Sequence, residues 1–267
     1  GVATSVTLRA FPAGPFLGGR FLRGVGCKAE AAQLFAAWEN TLRVLDHDQQ
    51  ADFAFGWSKG EPTAGLFPCS VLGRPFDDQT CSALGFSNSE LQSCSVLDVP
   101  YPDLANEGAE ETGGTNQAAQ GMITYVQQCF VDRLGADGFR KILDAVDAMP
   151  SALSRVLLQH GGGAARGPAS DSVAFACRAW EFSVVIVAMW REEEARPLNE
   201  AWADNLIASL APFATGTYAV NTDPYRRPAT AAWEVEQAFG PNLARLRALK
   251  SSMDPENLFK GTYSFFP

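Results

Sequence analysis

The residues predict an α+β fold, an antiparallel sheet covered on one face by helices. Two observations lead there. Strand-like segments follow one another through short Gly- and Pro-bearing turns, and amphipathic helices are inserted between groups of strands instead of after every strand. The composition supplies a core: 46% of the 267 residues are hydrophobic and 19% charged, which suits one large domain, or one domain with an added subdomain.

Each element has its own signal. Val2, Thr4, Val6 and Leu8 alternate with small or polar neighbours, so a strand is expected over 2–11, and "FPAGP" turns the chain into a second at 16–25. Ala31, Leu34, Phe35, Trp38, Leu42 and Leu45 recur near helical spacing, which predicts a helix over 28–44. "DFAFGWS" and "GLFPCSVLG" read as two strands. Residues 75–120, rich in Ser, Asp, Asn, Gly and Thr, are expected to be loops with short helices. A helix near 137–148 is opened by "GADGF" and stopped by Pro150. Strand 154–160, the turn "GGGAARG", strands 172–177 and 181–190, and helix 197–210 come next. That helix is expected to carry Leu198, Trp202, Leu206 and Leu210 on one face.

From about residue 213 the chain turns polar and irregular, in "GTYAVNTDPYRRP", before helix 230–239 and a last helix. Phe239, Leu243, Leu246, Leu249 and Met253 form the apolar stripe of this ending. Pro255 cannot continue a helix and biases Asp254 away from helical angles. Asn257 is expected to bind freed backbone groups, and Phe259 to pack.

Composition also excludes. A net charge of −9 with scattered arginines argues against nucleic acid as a partner. The most apolar run, 182–190, falls far short of the roughly 20 residues a membrane helix needs, so no membrane partner is expected. Six cysteines without a CxxC, and only two histidines, give no metal-ligand spacing. Cys69, Cys81 and Cys94 would form disulfides in a secreted protein; free or buried thiols are the equal alternative. The chain opens in strand pattern without Met or a leader, so residue 1 reads as a cut end.

"FGPNLARLRALKSSMDPENLF" resembles the carboxy-terminal signature of the berberine-bridge-enzyme family, flavin-dependent oxidases of the vanillyl-alcohol-oxidase type. Phe239-Gly240, Asn242, Arg245-Leu246, Lys250, Asp254-Pro255, Asn257 and Phe259 carry the match. "GVATSVTLRAFPAGP" looks like the strand leaving that family's flavin domain, "HGGGAARGPASDSVAFACRAW" like its Gly-Gly-Ala hairpin and Ala-Phe-x-x-Arg strand, and "GTYAVNTDPY" like its Tyr-x-Asn stretch. The resemblance implies three parts: 1–12 as the trailing strand of a missing FAD-binding domain, 13–212 as a substrate-binding domain, and 213–267 as the segment that returns to the FAD domain.

The resemblance also implies roles for single residues. Tyr218 would be the catalytic base, taking a hydroxyl proton while hydride passes to FAD, with molecular oxygen as final acceptor. Its ordinary pKa near 10 requires a cationic or hydrogen-bonding neighbour. Gly1, Val2, Asn221 and Tyr263 would approach the cofactor. The family's Asn position is taken by Val220, with Asn221 one residue later, and Thr262 and Tyr263 replace the usual polar tail. His160, beside the glycine turn, is a candidate substrate-binding residue, a structural histidine at a strand end being its other reading; Arg178, which matches the family's arginine, is a second candidate, with a structural ion pair as its other reading. A phosphate loop at "GGGAARG" is rejected: the glycine offset is wrong and no helix follows. The partners implied are a small alcohol or carbohydrate, oxygen and the missing FAD-binding domain, in an extracellular or secretory setting. The alternative is a non-catalytic binding module derived from that family.

Overall fold

In the computed structural model the described residues are 4–7, 17–19, 21–25, 27–58, 61–94, 121–161, 163–218 and 228–259. Their strands are β1 (Leu17–Gly18), β2 (Phe21–Gly24), β3 (Gln49–Ser58), β4 (Glu61–Ser70), β5 (Ile123–Val131), β6 (Arg155–His160), β7 (Phe182–Trp190) and β8 (Ala214–Gly216). The helices are α1 (Lys28–Leu42), α2 (Asp78–Leu84), α3 (Asn88–Cys94), α4 (Gly135–Asp147), α5 (Arg196–Leu210), α6 (Pro228–Phe239) and α7 (Leu243–Met253).

One sheet runs β1-β4-β3-β6-β7-β5-β8, with β2 also on β4, and every pair is antiparallel. Alternation along the strands assigns the faces. Ala51, Phe53, Phe55, Val156, Leu158, Phe182, Val184 and Ile186 belong to one buried cluster with Phe35 and Trp38 of α1, Phe139 and Ile142 of α4, and Trp202 and Leu206 of α5. Trp38 is its hub: the ring lies edge-on to Phe182 at 5.0 Å, and the indole N–H donates to the Ala51 carbonyl at 2.8 Å. Phe130, between Cys129 and Val131 of that cluster, instead meets Cys177 and Trp180 on the opposite face.

α4 has no cap of its own, since Leu134 precedes it. Glu39, buried on α1, supplies one: its carboxylate accepts from the backbone N–H groups of Leu134 at 2.6 Å and Gly135 at 3.1 Å. A carboxylate suits the positive end of a helix, and here it ties two helices together.

The α+β class, an antiparallel sheet with packed helices, is the observed one; α1, α4 and α5 cover one face, and α6 meets Cys177 on the other. Several local expectations are corrected. Residues 4–7 carry no strand; the rest of 2–11, apart from those four, lies outside the described residues. Residues 172–177 are irregular, so β6 and β7 pair directly across a long loop, and the glycine turn is a 3-10 turn at Gly163–Arg166. β5 was unforeseen. Leu198 is exposed, while Trp202, Leu206 and Leu210 are buried. Cys69 and Cys81 are free thiols, and burial pushes Cys69 up to about 11.

The chain's ending is built differently from expectation. Asp254, at φ −146° and ψ 61°, leaves the helix as Pro255 requires. It is Asp254 that binds the freed backbone, accepting from the N–H groups of Leu258 at 2.8 Å and Phe259 at 3.0 Å. Lys250 pairs with Asp254 and donates to the Phe259 carbonyl at 2.7 Å. Asn257 instead supplies a left-handed position at φ 51°, which Asn tolerates. Leu249, Met253, Leu258 and Phe259 are exposed, so the expected stripe is only partly buried.

Candidate active site

Tyr218 lies just past β8, on the sheet face opposite α1, α4 and α5. Phe130 meets its ring edge-on at 4.4 Å, Phe175 stacks on it at 5.9 Å, and Trp180 packs on Phe130 at 4.5 Å. Burial, and then the neighbouring Cys177, push the phenol above its ordinary value. It is therefore protonated at neutral pH.

Gln128 of β5 fastens this stretch from below. Its side-chain oxygen accepts from the Tyr218 N–H at 2.9 Å and lies 3.2 Å from the Thr217 hydroxyl, which also donates to the Gln128 carbonyl at 2.9 Å. Because a backbone N–H can only donate, the atom facing it is the oxygen and the amide orientation follows. Gln128 Nε2 is then buried without a partner. Leaving such a donor unmet costs about 1–3 kcal/mol.

Arg178 stands one ring away. Its guanidinium lies 4.9 Å over Phe175 and donates to the Ala165 carbonyl at 3.0 Å, while its Nε is buried without a partner. These contacts replace the ion pair considered for it.

The carboxy-terminal segment holds the loop that carries Phe175 and Arg178. Asn242 is buried and its amide nitrogen donates to the carbonyls of Ser170 at 2.7 Å, Val173 at 3.0 Å and Ala174 at 3.3 Å. The Cys177 thiol sits against the Gln237 carbonyl at 3.5 Å, and Gly216 leaves room for it: a Cβ there would lie 2.3 Å from the sulfur. Gly240, at φ 45°, makes the turn between the two final helices.

His160 is elsewhere. It ends β6 on the same face as Val156 and Leu158, in a cavity of about 390 Å³ lined also by Arg43, His47, Gln50, Arg166 and Glu181. The sheet thus separates it from Tyr218, and the two do not share a cavity. His160 Nε2 is 3.5 Å from buried Glu181, whose other oxygen pairs with Arg166; Arg166 and Arg43 also pair with Asp132 at 3.2 and 3.0 Å. Burial lowers the imidazole's pKa against the pull of Glu181. The described residues therefore make this a self-satisfied polar network, since none of the buried side-chain atoms left unpaired belongs to it.

Gly1, Val2, Asn221 and Tyr263 lie outside the described residues. At the glycine turn, a Cβ on Gly161 would fall 2.0 Å from the Trp180 ring, so that glycine accommodates an indole, and the turn's 3-10 helix is four residues long. Sequence reasoning missed Gln128. Its signal was the Gln127-Gln128 pair inside an apolar run, which must put one carboxamide on each face.

Residues 225–264 match the family described as "Berberine and berberine like". An FAD-linked oxidoreductase of Dictyostelium discoideum is 28% identical over 154 residues, covering 57% of this chain and 32% of that protein. Among solved structures, Phl p 4, a grass pollen allergen with glucose dehydrogenase activity, superposes with a TM-score of 0.73 at 16% identity. BBE-like #28 from Arabidopsis thaliana gives 0.68 at 17%, and berberine bridge enzyme from Eschscholzia californica 0.66 at 15%. Each match covers 94% of this chain and only 55–56% of the other. The chain spans about half the length of these structures and a third of the curated relative. In its carboxy-terminal segment and in its fold, the chain is berberine-bridge-enzyme-like.

Proposed function

We propose that this chain is the substrate-binding part of an FAD-linked oxidase that acts on an alcohol or carbohydrate hydroxyl, with oxygen as the final electron acceptor. The observation that carries the reading is Tyr218 set among Phe130, Phe175, Gln128 and Arg178 on the sheet face opposite α1, α4 and α5. The family segment at 225–264 and the flavin-linked relative support it. FAD, held by another part of the protein, would supply the hydride acceptor for the hydroxyl-bearing carbon. This chain binds the substrate, and Tyr218 takes the hydroxyl proton as the carbon–oxygen double bond forms. The phenol's raised pKa means that this role needs a cationic or hydrogen-bonding neighbour.

The test is anaerobic flavin reduction in the full-length protein with a panel of alcohols and sugars. Tyr218→Phe should slow reduction by roughly 10²–10⁴-fold, the usual worth of a general base. Reduction at the unmodified rate would remove Tyr218 from the mechanism. Flavin absorbance retained by the purified 267-residue chain alone would overturn the assignment of FAD to another part.

A further inference from the structure

Two of the unpaired buried donors among the described residues, Gln128 Nε2 and Arg178 Nε, belong to the surroundings of one tyrosine. Gln128 is held by its oxygen alone, so its NH2 group has a set direction and nothing to meet. Its cross-strand neighbour on β7 is Val185, which has no acceptor to offer. Buried polar groups are nearly always satisfied, and an exception needs an explanation such as a catalytic or binding role. The His160 network gives the contrast: His160 and Glu181 are both buried, yet neither has a buried side-chain atom left over.

We propose that Gln128 is a substrate-binding residue of the Tyr218 site: its oxygen positions Thr217 and Tyr218, and its NH2 group donates to an oxygen of the ligand beside the phenol. Arg178 presents the second donor and a positive charge on the far side of Phe175. A ligand matched to this site carries oxygen acceptors, as hydroxyl, carbonyl or carboxylate, and no cationic group at that end. An ammonium there would meet donors only and be repelled by the guanidinium. This inference rests on the reading of the Tyr218 face as the substrate site, and names the chemistry that face selects.

The experiment uses the 267-residue chain labelled with ¹⁵N and with ¹³C in its tyrosine rings, with the Gln128 NH2 resonance assigned by its loss in Gln128→Glu and the Tyr218 ring by its loss in Tyr218→Phe. D-glucose, D-glucuronate and benzylamine are titrated separately while the Gln128 NH2 and Tyr218 ring signals are followed. Saturable shifts of both with the two sugars, and neither with the amine, are expected. Tyr218 shifting while the Gln128 NH2 stays fixed overturns the role of Gln128 and leaves the substrate face intact. No response at either group from any probe overturns both, and an equal response to benzylamine overturns the ligand class. Gln128→Glu adds a second readout, because it keeps the acceptor for Thr217 and Tyr218 and removes the donor. Its D-glucose affinity should fall roughly 3–10-fold at pH 7.5, the worth of a neutral hydrogen bond, and recover as the carboxyl regains a proton at lower pH. A merely structural Gln128 predicts no such recovery.

Discussion

At Tyr218 the backbone is gripped by Gln128 while the ring lies between Phe130 and Phe175, so its surroundings fix position and oppose ionisation together. Desolvation is the larger cause of the raised pKa, and it can be relieved without touching the phenol. Phe175→Ala should let water reach the ring and bring Tyr218 back toward its ordinary value near 10. Ultraviolet difference titration, with Tyr218→Phe subtracted, reads this directly; coincident curves for wild type and variant would mean that Phe175 contributes nothing. Tyr218 was legible from the motif around it. Gln128 was not, because a glutamine within an apolar strand carries no sign of which face it joins until its partners are placed.

At the scale of elements, long amphipathic segments were the readable ones. α1, α4 and α5 bury large residues at helical spacing, and their packing against β3, β6 and β7 agrees with the pattern. β5 escaped because Gln127-Gln128 interrupts its apolar run and a polar stretch precedes it. Both glutamines are paired in ways no periodicity reveals. Gln127 donates to Asp204 at 3.0 Å on the helix face, and Gln128 accepts from Thr217 and Tyr218 on the other. The false strand at 172–177 has the reverse cause, since its alternation serves a loop fastened by Asn242. Capping was equally hidden, because α4 takes its cap from another helix. Glu39→Ala should therefore destabilise the protein by about 1–2 kcal/mol, seen as a lower urea midpoint, with hydrogen exchange fastest in the first turn of α4. An unchanged midpoint would show that Leu134 and Gly135 find other acceptors. At the chain's ending, Lys250 and the two backbone donors hold the Asp254 carboxyl below its usual value. Its contribution is present at neutral pH and is lost as pH falls through that lowered value. Asp254→Asn should expose 254–259 to proteases at pH 7 and leave little further change on acidification.

For the whole molecule, two groups on the helix side of the sheet pull stability in opposite directions with pH. Asp204, which accepts from Tyr125 at 2.9 Å, is raised by burial to about 6. Its folded form binds a proton more readily than the unfolded chain does, so its contribution weakens as pH rises from about 4 to about 6. His160 is lowered from 6.5, so the unfolded chain takes its proton first and stability falls as pH drops below that value. Thermal melts should separate them. His160→Gln should flatten the acid-side loss, and Asp204→Asn should remove the gain on acidification while raising the melting temperature at pH 7. Parallel curves for the three proteins would contradict both assignments.

Asn242 binds carbonyls that lie about seventy residues earlier in the chain. A ribosome releases the amino-terminal side first, so Ser170, Val173 and Ala174 leave the exit tunnel well before their donor. The stretch bearing Phe175 and Arg178 then waits, unclasped, for the segment bearing Asn242 to emerge. A nascent chain stalled after β8 would have its sheet strands in hand and its aromatic wall still unset, so the berberine-like segment sets that wall only after the sheet is made.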